Sequence, residues 1–220
     1  MANVARASRK DLRDAIRTAR AAQEGWASRT AYNRGQVLYR VAEMLEGRRA
    51  ELATLLSDTG QGTEAAKEEV EASIDRWVWY AGWSDKVHHV LGTVNPVAGP
   101  YFNFTVPEPT GVVGLVASGR PALLGLVSRL VPAIVGGNAV VVVTGGDASL
   151  VAVTLGEVLA TSDVPAGVVN VLTGERAELL PWLISHLDVN AVDLTGADDD
   201  LEAEVLACLL YTSPSPRDLS

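Results

Sequence analysis

The sequence of 220 residues predicts an α/β fold, in which a parallel sheet is covered by helices on both faces and a helical layer comes first. Apolar side chains recur at helical spacing through roughly the first ninety residues, whereas short valine-rich runs alternate with single helical stretches after Gly111. Strands that are apolar along their whole length are typical of parallel sheets with both faces buried. We therefore expect one domain over residues 1–207, made of a helical layer (8–91), an extended arm (92–110) and βα units (111–207).

The helical layer is predicted to hold three helical stretches. Ser8 and Asp11 stand three residues apart, as the two side chains of a capping box do, so the first helix begins beside them. The second stretch stops at Gly60-Gln61-Gly62, and the third begins near Thr63 and continues to Leu91. Each stretch carries one apolar face, so the layer is expected to cover another element. Those faces comprise Leu12, Ile16, Ala19 and Trp26, then Val37, Leu38, Val41, Leu45, Leu52 and Leu55, then Val70, Ile74, Trp77, Ala81, Val87 and Leu91.

Aromatic side chains widen the apolar face of the third stretch. Trp77 and Tyr80 are three residues apart on that face, and Trp79 and Trp83 are four apart on the neighbouring one. An aromatic surface wider than one stripe indicates burial on two sides, which favours contact with another subunit. A nucleic-acid partner is not expected, because the formal net charge of −9 does not suit the neutralisation of phosphates.

Residues 92–110 are predicted to form an extended arm or an edge hairpin. Prolines spread through this segment exclude a long helix, and Tyr101, Phe102 and Phe104 favour extended structure.

The βα units are predicted from alternating strand and helix patterns. The strands are Val112–Val116, Val140–Val143, Val168–Leu172 and Ala191–Leu194, and the helices are Pro121–Val135, Ser149–Ser162 and Glu175–His186. In such sheets ligands bind outside the carboxyl ends of the strands. The loops expected to carry a site are therefore 117–121, 144–149, 173–175 and 195–200.

Composition favours a soluble protein of the cytoplasm. The single cysteine, Cys208, excludes an intrachain disulfide framework, and the N-terminus turns charged before any apolar stretch of signal-peptide length. The longest apolar region, 123–143, contains Arg129 and Gly136-Gly137. A core helix followed by a core strand explains this region better than a membrane span does.

No metal site is expected. Asp198, Asp199 and Asp200 alternate in direction and suit the start of a helix, where carboxylates are favoured. His88, His89 and His186 fall near helix ends without neighbouring ligands, so capping or surface roles are preferred.

The glycine-rich turn 144–147 follows the second predicted strand. It lacks the lysine and the spacing of a phosphate-binding loop, so we interpret it as a strand-to-helix turn with Asp147 or Ser149 as the helix cap.

Several phrases resemble the aldehyde dehydrogenase superfamily. EPTGVVGLVA (108–117), LVPAIVGGNAVVVV (130–143), VPAGVVNVLTG (164–174) and DVNAVDLTG (188–196) follow the order of its amino-terminal part, and the likeness covers nearly all of residues 8–205. The resemblance implies a Rossmann-like parallel sheet of the NAD-binding type, NAD or NADP as cofactor, and oligomerisation through the extended arm.

The same resemblance identifies where this chain departs from the family. The family's P-W-N loop, whose Asn helps to hold an oxyanion, is replaced by Ser118-Gly119-Arg120. The Lys and Glu of K-P-x-E, which hold the adenosine ribose, are replaced by Val143 and Gly146, with Thr144 between them. The family's F-T-G-S becomes Leu194-Thr195-Gly196-Ala197, so Thr195 and Gly196 are the candidate cofactor-binding residues.

No catalytic residue is assigned. The nucleophilic Cys and the general-base Glu of the family are not matched in this sequence, and Cys208 lacks the family's flanking residues. Cys208 opens the segment 208–220, which resembles translated cloning or adapter DNA and is interpreted as a non-native tail.

These observations lead to one functional expectation and two alternatives. The expected function is that of a truncated aldehyde dehydrogenase-like protein, inactive alone, which works as a structural or regulatory partner of an active dehydrogenase. The first alternative is an NAD(P)-dependent oxidoreductase acting on aldehydes, whose catalytic half is missing from this chain. The second is a nucleotide-binding module.

Overall fold

The structure is a computed structural model that describes residues 3–197 and Ala203. The candidate aspartates 198–200 and the segment 208–220 lie outside the described residues. The helices are α1 (Arg9–Ala27), α2 (Ala31–Gly47), α3 (Arg49–Asp58), α4 (Thr63–Ala81), α5 (Val87–Leu91), α6 (Ala122–Val135), α7 (Ala148–Ala160) and α8 (Arg176–Ile184). The strands are β1 (Thr93–Val94), β2 (Phe104–Thr105), β3 (Val112–Val116), β4 (Ala139–Thr144), β5 (Val169–Thr173) and β6 (Ala191–Asp193).

The main sheet is parallel and has the strand order β5-β4-β3-β6. Its two faces are covered by different helices, and β4 shows how: Val140 and Val142 belong to the core under α6 and α7, whereas Val141 and Val143 belong to the core under α1 and α8. Because every side chain of β4 is buried, the strand consists of valine and alanine up to its final threonine. The predicted α/β fold class is confirmed.

The helical layer differs from the prediction in two places. The second stretch is divided into α2 and α3 at Arg48, and the third is divided into α4 and α5 by residues 82–86. A glycine stands at each break, since Gly47 is the last residue of α2 and Gly82 follows α4. Glycine lowers the stability of a helix, which favours a break at these positions. The apolar residues keep their helical spacing on both sides of each break, so the spacing alone does not reveal where the helix ends.

The arm folds as a short hairpin of its own. β1 pairs antiparallel with β2, apart from the main sheet, with Val94 opposite Phe104. Smaller differences concern element ends: β6 ends at Asp193 and α8 at Ile184, so His186 lies in the loop that follows α8.

Both ends of α6 are held by polar side chains of the helical layer. At its first turn, the backbone amides of Leu123 and Leu124 donate to the Glu69 Oε1 atom of α4, at 2.7 and 3.1 Å. At its last turn, the Trp26 indole donates to the Ile134 carbonyl oxygen at 2.7 Å, and the Arg34 guanidinium donates to the Val135 carbonyl oxygen at 3.2 Å. A carboxylate at the first turn and a cation at the last both oppose the helix dipole. The layer therefore fixes α6, and with it the turn that precedes α6.

The predicted capping box at α1 is present, and it makes a pH-dependent contribution to stability. The Ser8 amide donates to the Asp11 Oδ2 atom at 2.8 Å, and this bond, followed by the bond from the Ser8 hydroxyl, lowers the pKa of Asp11 from its ordinary value of 3.8. A lowered folded-state pKa means that the stabilisation is present above the unfolded value and is lost as the pH falls through the folded one.

We expect an NMR titration of the carboxyl carbons to place Asp11 below that ordinary value. In Ser8→Ala the pKa should rise part of the way back, because the stronger backbone bond remains. An Asp11 pKa that is the same in both proteins would contradict the role of the Ser8 hydroxyl.

Candidate functional site

The carboxyl ends of the four strands of the main sheet meet at one edge, where the expected ligand loops lie. Gly196, in the turn after β6, touches the end of β3. A Cβ atom there would lie 2.2 Å from the Val116 carbonyl oxygen and 2.6 Å from the Ser118 nitrogen, so no other residue fits without a shift of the backbone. The turn after β6 therefore packs directly against the turn after β3. The strand order reverses between these two strands, and open α/β sheets bind ligands at such a point.

Thr195 lies beside Gly196 and is exposed. Its amide and its hydroxyl donate to the Asp193 Oδ1 atom, at 2.9 and 2.5 Å. The other carboxylate oxygen of Asp193 lies 3.8 Å from the Arg129 Nε atom. The Thr195 hydroxyl therefore donates its proton to Asp193, and toward a ligand its oxygen can only accept a hydrogen bond. The structure brings both candidate residues to the ligand edge, and their role in cofactor binding remains a prediction.

Arg176, the first residue of α8, also reaches this edge, and the sequence analysis did not single it out. Its Nη1 atom donates to the Gly196 carbonyl oxygen at 3.1 Å. On the way its Nε atom passes 3.9 Å from the position that a Cβ atom of Gly145 would occupy. That Nε atom is buried and has no hydrogen-bond partner among the residues that the structure describes. The sequence feature that could have identified Arg176 is its place directly after the Gly174-Glu175 turn, because this turn follows the carboxyl end of a predicted strand.

The turn after β3 is directed toward the helical layer. Arg120, which stands where the resemblance places an oxyanion-binding Asn, donates from Nη2 to the Thr59 carbonyl oxygen at 2.6 Å. The hydroxyl of Ser118 lies 3.4 Å from the Pro121 carbonyl oxygen, which is a weak contact within the turn.

The end of β4 offers no ribose-binding side chains of the family type. Val143 is fully buried in the core between the sheet and α8. The Thr144 hydroxyl is buried and has no hydrogen-bond partner within residues 3–197, and Gly146 has a positive φ of 62°. The side-chain bonds that the resemblance assigns to Lys and Glu at positions 143 and 146 are therefore absent from these positions.

The segment before α1 covers the end of β5. The Ala7 amide donates to the Thr173 carbonyl oxygen at 2.7 Å, the Thr173 hydroxyl donates to the Ala5 carbonyl oxygen, and Arg6 forms an ion pair with Glu178. Among the described residues, the segment before α1 covers the ligand edge at β5 and not at β4, β3 and β6.

Within the described residues, no group of three or more His, Cys, Asp or Glu side chains is placed to hold a metal ion. Among the same residues, no helix has both the length and the apolar character that crossing a membrane requires.

Comparison with known proteins identifies the fold and its family. The family model described as "Aldehyde dehydrogenase family" matches residues 1–200. The chain belongs to the aldehyde dehydrogenase family. The resemblance found in the sequence is thereby confirmed.

Individual relatives agree with this assignment. The mitochondrial aldehyde dehydrogenase family 2 member B4 of Arabidopsis thaliana is 33% identical over 205 residues, which are 90% of this chain and 37% of the relative. A putative aldehyde dehydrogenase from Burkholderia cenocepacia superposes with a TM-score of 0.90 at 29% identity, over 96% of this chain and 44% of that one. The chain therefore spans less than half the length of these aldehyde dehydrogenases.

Solved structures of similar fold hold NAD or NADP. One of them is glyceraldehyde-3-phosphate dehydrogenase GapN from Methanocaldococcus jannaschii, complexed with NADP, with a TM-score of 0.87 and 26% identity over 97% of this chain and 47% of that one. The ligand edge described above fits such a cofactor only in part. The side chains that the resemblance assigns to the ribose are absent at positions 143 and 146, which are Val and Gly.

Proposed function

We propose that this aldehyde dehydrogenase-family chain is inactive alone and works as a structural or regulatory partner of an active dehydrogenase subunit. The observation that carries the proposal is the position of Arg120. Its guanidinium is bonded to the Thr59 carbonyl oxygen of the helical layer, where the family pattern has an Asn that binds an oxyanion. An oxyanion site needs donors that are already aimed at the developing charge, and this side chain is aimed elsewhere.

The chemistry of aldehyde oxidation also requires a nucleophile. A covalent mechanism uses a thiolate, activated by its surroundings, and a base that activates water for the second step. The sequence has one cysteine, Cys208, and it stands in the segment interpreted as a tail. Nothing in this chain is therefore proposed to form a covalent intermediate.

The hairpin supplies the proposed contact surface for a partner. Tyr101 and Phe102 are 77% and 76% exposed, and the rings of Phe102 and Phe104 lie 5.4 Å apart. On α4, Trp79 is 55% exposed and its ring lies 5.3 Å from that of Trp83. Grouped aromatic side chains at a surface are typical of protein–protein contacts. The partner is a second copy or a related dehydrogenase subunit, and a cytoplasmic location is proposed with it.

A second candidate is an NAD(P)-dependent oxidoreductase acting on aldehydes. The observation that favours it is the length of the match, because the chain corresponds to only 37% of its Arabidopsis relative. The resemblance implies that the nucleophilic Cys and the general-base Glu belong to a part that this chain does not match. A nucleotide-binding module is the third candidate, favoured by the Thr195-Gly196 turn at the ligand edge.

The proposal is tested on the full chain by two measurements. With acetaldehyde or benzaldehyde and either NAD or NADP, we expect no formation of reduced cofactor above a no-protein control. In light scattering coupled to gel filtration, we expect self-association or a mixed oligomer with an active aldehyde dehydrogenase. The double variant Tyr101→Ser/Phe102→Ser should shift either species toward the monomer.

The matched control changes an exposed tyrosine outside the hairpin, Tyr32→Ser, and should leave the association unchanged. Measurable dehydrogenase activity of the chain would contradict the proposed inactivity. The second candidate also predicts no activity of this chain, because its catalytic half is missing here, so the association measurement distinguishes the two. A monodisperse monomer that binds no hydrophobic dye and enters no mixed oligomer would contradict the partner role.

A further inference from the structure

We infer that a cavity between α1 and α8 binds a small carboxylate that carries one aromatic ring. The cavity has a volume of about 270 Å³ and is lined by Arg9, Leu12, Arg13, Trp182, Ser185 and His186. These residues belong to α1, to α8 and to the two positions after α8, and not to the loops of the ligand edge. The proposed ligand takes part in neither subunit association nor aldehyde oxidation, so the site goes beyond the proposed function.

The walls and the size of the cavity suit one ring. The lining is mostly apolar, and it includes the buried Leu12 and the ring of Trp182, which is 42% exposed. An apolar cavity of about 150 Å³ holds a benzene molecule. A volume of about 270 Å³ therefore leaves room for a ring together with a short polar group. Burial of the ring against these walls favours binding.

Arg9 is positioned at the cavity by Trp182. Its guanidinium carbon lies 3.4 Å from the centre of the Trp182 ring. At this distance the guanidinium lies with its flat face on the ring, because an edge-on approach places the carbon farther away. The N–H groups point outward in the plane of the guanidinium. The stacking therefore leaves them available to a carboxylate, which a guanidinium binds through two parallel hydrogen bonds.

Arg13 adds a second positive charge, one helical turn from Arg9. Its Nη2 atom lies 3.4 Å from the carboxylate of Asp14, and both side chains are more than half exposed. An exposed pair of this kind contributes little to stability, so an anion in the cavity competes with it at low cost. On α8, one turn before Trp182, the carboxylate of Glu178 is held in an ion pair with Arg6.

His186 supplies a further donor from the loop after α8. Its Nδ1 atom accepts a hydrogen bond from the Asp188 amide at 3.2 Å. A ring nitrogen that accepts carries no proton, so the neutral ring carries its proton on Nε2 and donates from that atom. The cavity thus combines two guanidinium groups and one imidazole donor with apolar walls. An inorganic anion would use only the donors, whereas an aromatic carboxylate uses the donors and the walls.

The site is tested by an NMR titration of the full chain with benzoate, in about 0.15 M salt, so that long-range attraction between charges is screened. The titration follows the indole N–H signals of the five tryptophans, and Trp182→Phe assigns the signal of Trp182. We expect this signal to shift until it saturates. Benzyl alcohol keeps the ring without the charge, and acetate keeps the charge without the ring. Each should bind at least about tenfold more weakly than benzoate.

Arg9→Gln should lower the affinity for benzoate by about tenfold or more, because it removes the paired, charge-assisted hydrogen bonds. The matched control is Lys10→Gln, which removes an exposed positive charge from the next position of α1. Lys10 does not line the cavity, so its replacement should leave the affinity within about twofold.

A Trp182 signal that does not shift to saturation, equal affinities for benzoate and benzyl alcohol, or an unchanged affinity in Arg9→Gln would overturn the proposed site. Inorganic phosphate or acetate that binds as tightly as benzoate would overturn the ligand class. If Arg9→Gln does not fold, Arg13→Gln takes its place, with an expected loss of about threefold or more. None of these signals depends on oligomer formation or dehydrogenase activity, so a failure here is separable from a failure of the proposed function.

Discussion

Replacement of Glu69 by alanine is expected to lower the free energy of unfolding by about 3 kcal/mol, because two backbone donors lose their partner in the protein interior. Glu69 is buried and accepts from the amides of Leu123 and Leu124 at the first turn of α6. Its second oxygen accepts from the Gln61 side chain at 2.9 Å. Alanine would leave these donors without a partner and would also remove a negative charge from the positive end of the helix dipole.

Two control variants separate the cap from general effects on α4. In Glu69→Gln one acceptor oxygen remains, so a loss of about 1–2 kcal/mol is expected. In Glu68→Ala, which changes an exposed neighbour, the expected change lies within about 0.5 kcal/mol. Urea unfolding followed by circular dichroism measures all three. Similar losses in Glu69→Ala and Glu68→Ala would contradict the capping role.

The same variant should also loosen the turn at the ligand edge. The turn between β3 and α6 is held by Glu69 from α4 and by the Arg120–Thr59 bond. Hydrogen exchange at Leu123 and Leu124 is therefore expected to accelerate in Glu69→Ala more than exchange in α7, which receives no bond from Glu69.

The sheet could be predicted from sequence because its signal is local. Every position of β4 is buried, and runs such as Val140–Val143 therefore contain no polar residue that would interrupt the pattern. The breaks at Arg48 and after Ala81 were missed for the opposite reason, since the apolar stripe continues across each of them. Local periodicity describes which face is buried, and it does not describe a change in direction of the helix axis.

Part of the ligand edge could also be predicted. Thr195 and Gly196 were found because the turn that follows a parallel strand must lie at the carboxyl edge. Arg176 was missed because its relation to Gly196 depends on how far a long side chain reaches between loops twenty residues apart in sequence. Glu69 and Arg34 were missed likewise, since each bonds to α6 from a helix that is distant along the chain.

The opposite end of α6 provides the second large expected effect. In Arg34→Met the free energy of unfolding should fall by about 2–3 kcal/mol, because buried carbonyl oxygens lose a charged donor while the apolar stem is largely kept. Arg34 is buried and donates to the carbonyl oxygens of Ala27 and Arg29 at 3.1 and 2.6 Å, as well as to Val135 of α6. Desolvation lowers the pKa of Arg34, yet an arginine stays protonated at neutral pH.

The geometry of the guanidinium, and not its charge alone, is expected to matter. Arg34→Lys keeps the charge, but one ammonium group does not reach carbonyl oxygens at the ends of both α1 and α6, so it should recover only part of the loss. The matched control is Arg40→Met on the same helix. Its exposed side chain pairs with Glu43 at 3.1 Å, and an exposed pair of this kind contributes about 0.5 kcal/mol.

Because Glu69 and Arg34 act at opposite ends of a 14-residue helix, their effects should add. The double variant Glu69→Ala/Arg34→Met is expected to lose the sum of the two single losses within about 0.5 kcal/mol, as independent sites do. A loss much smaller than the sum would show that removal of either cap already frees the whole of α6. In that case the two caps would stabilise one cooperative unit that includes the turn between β3 and α6.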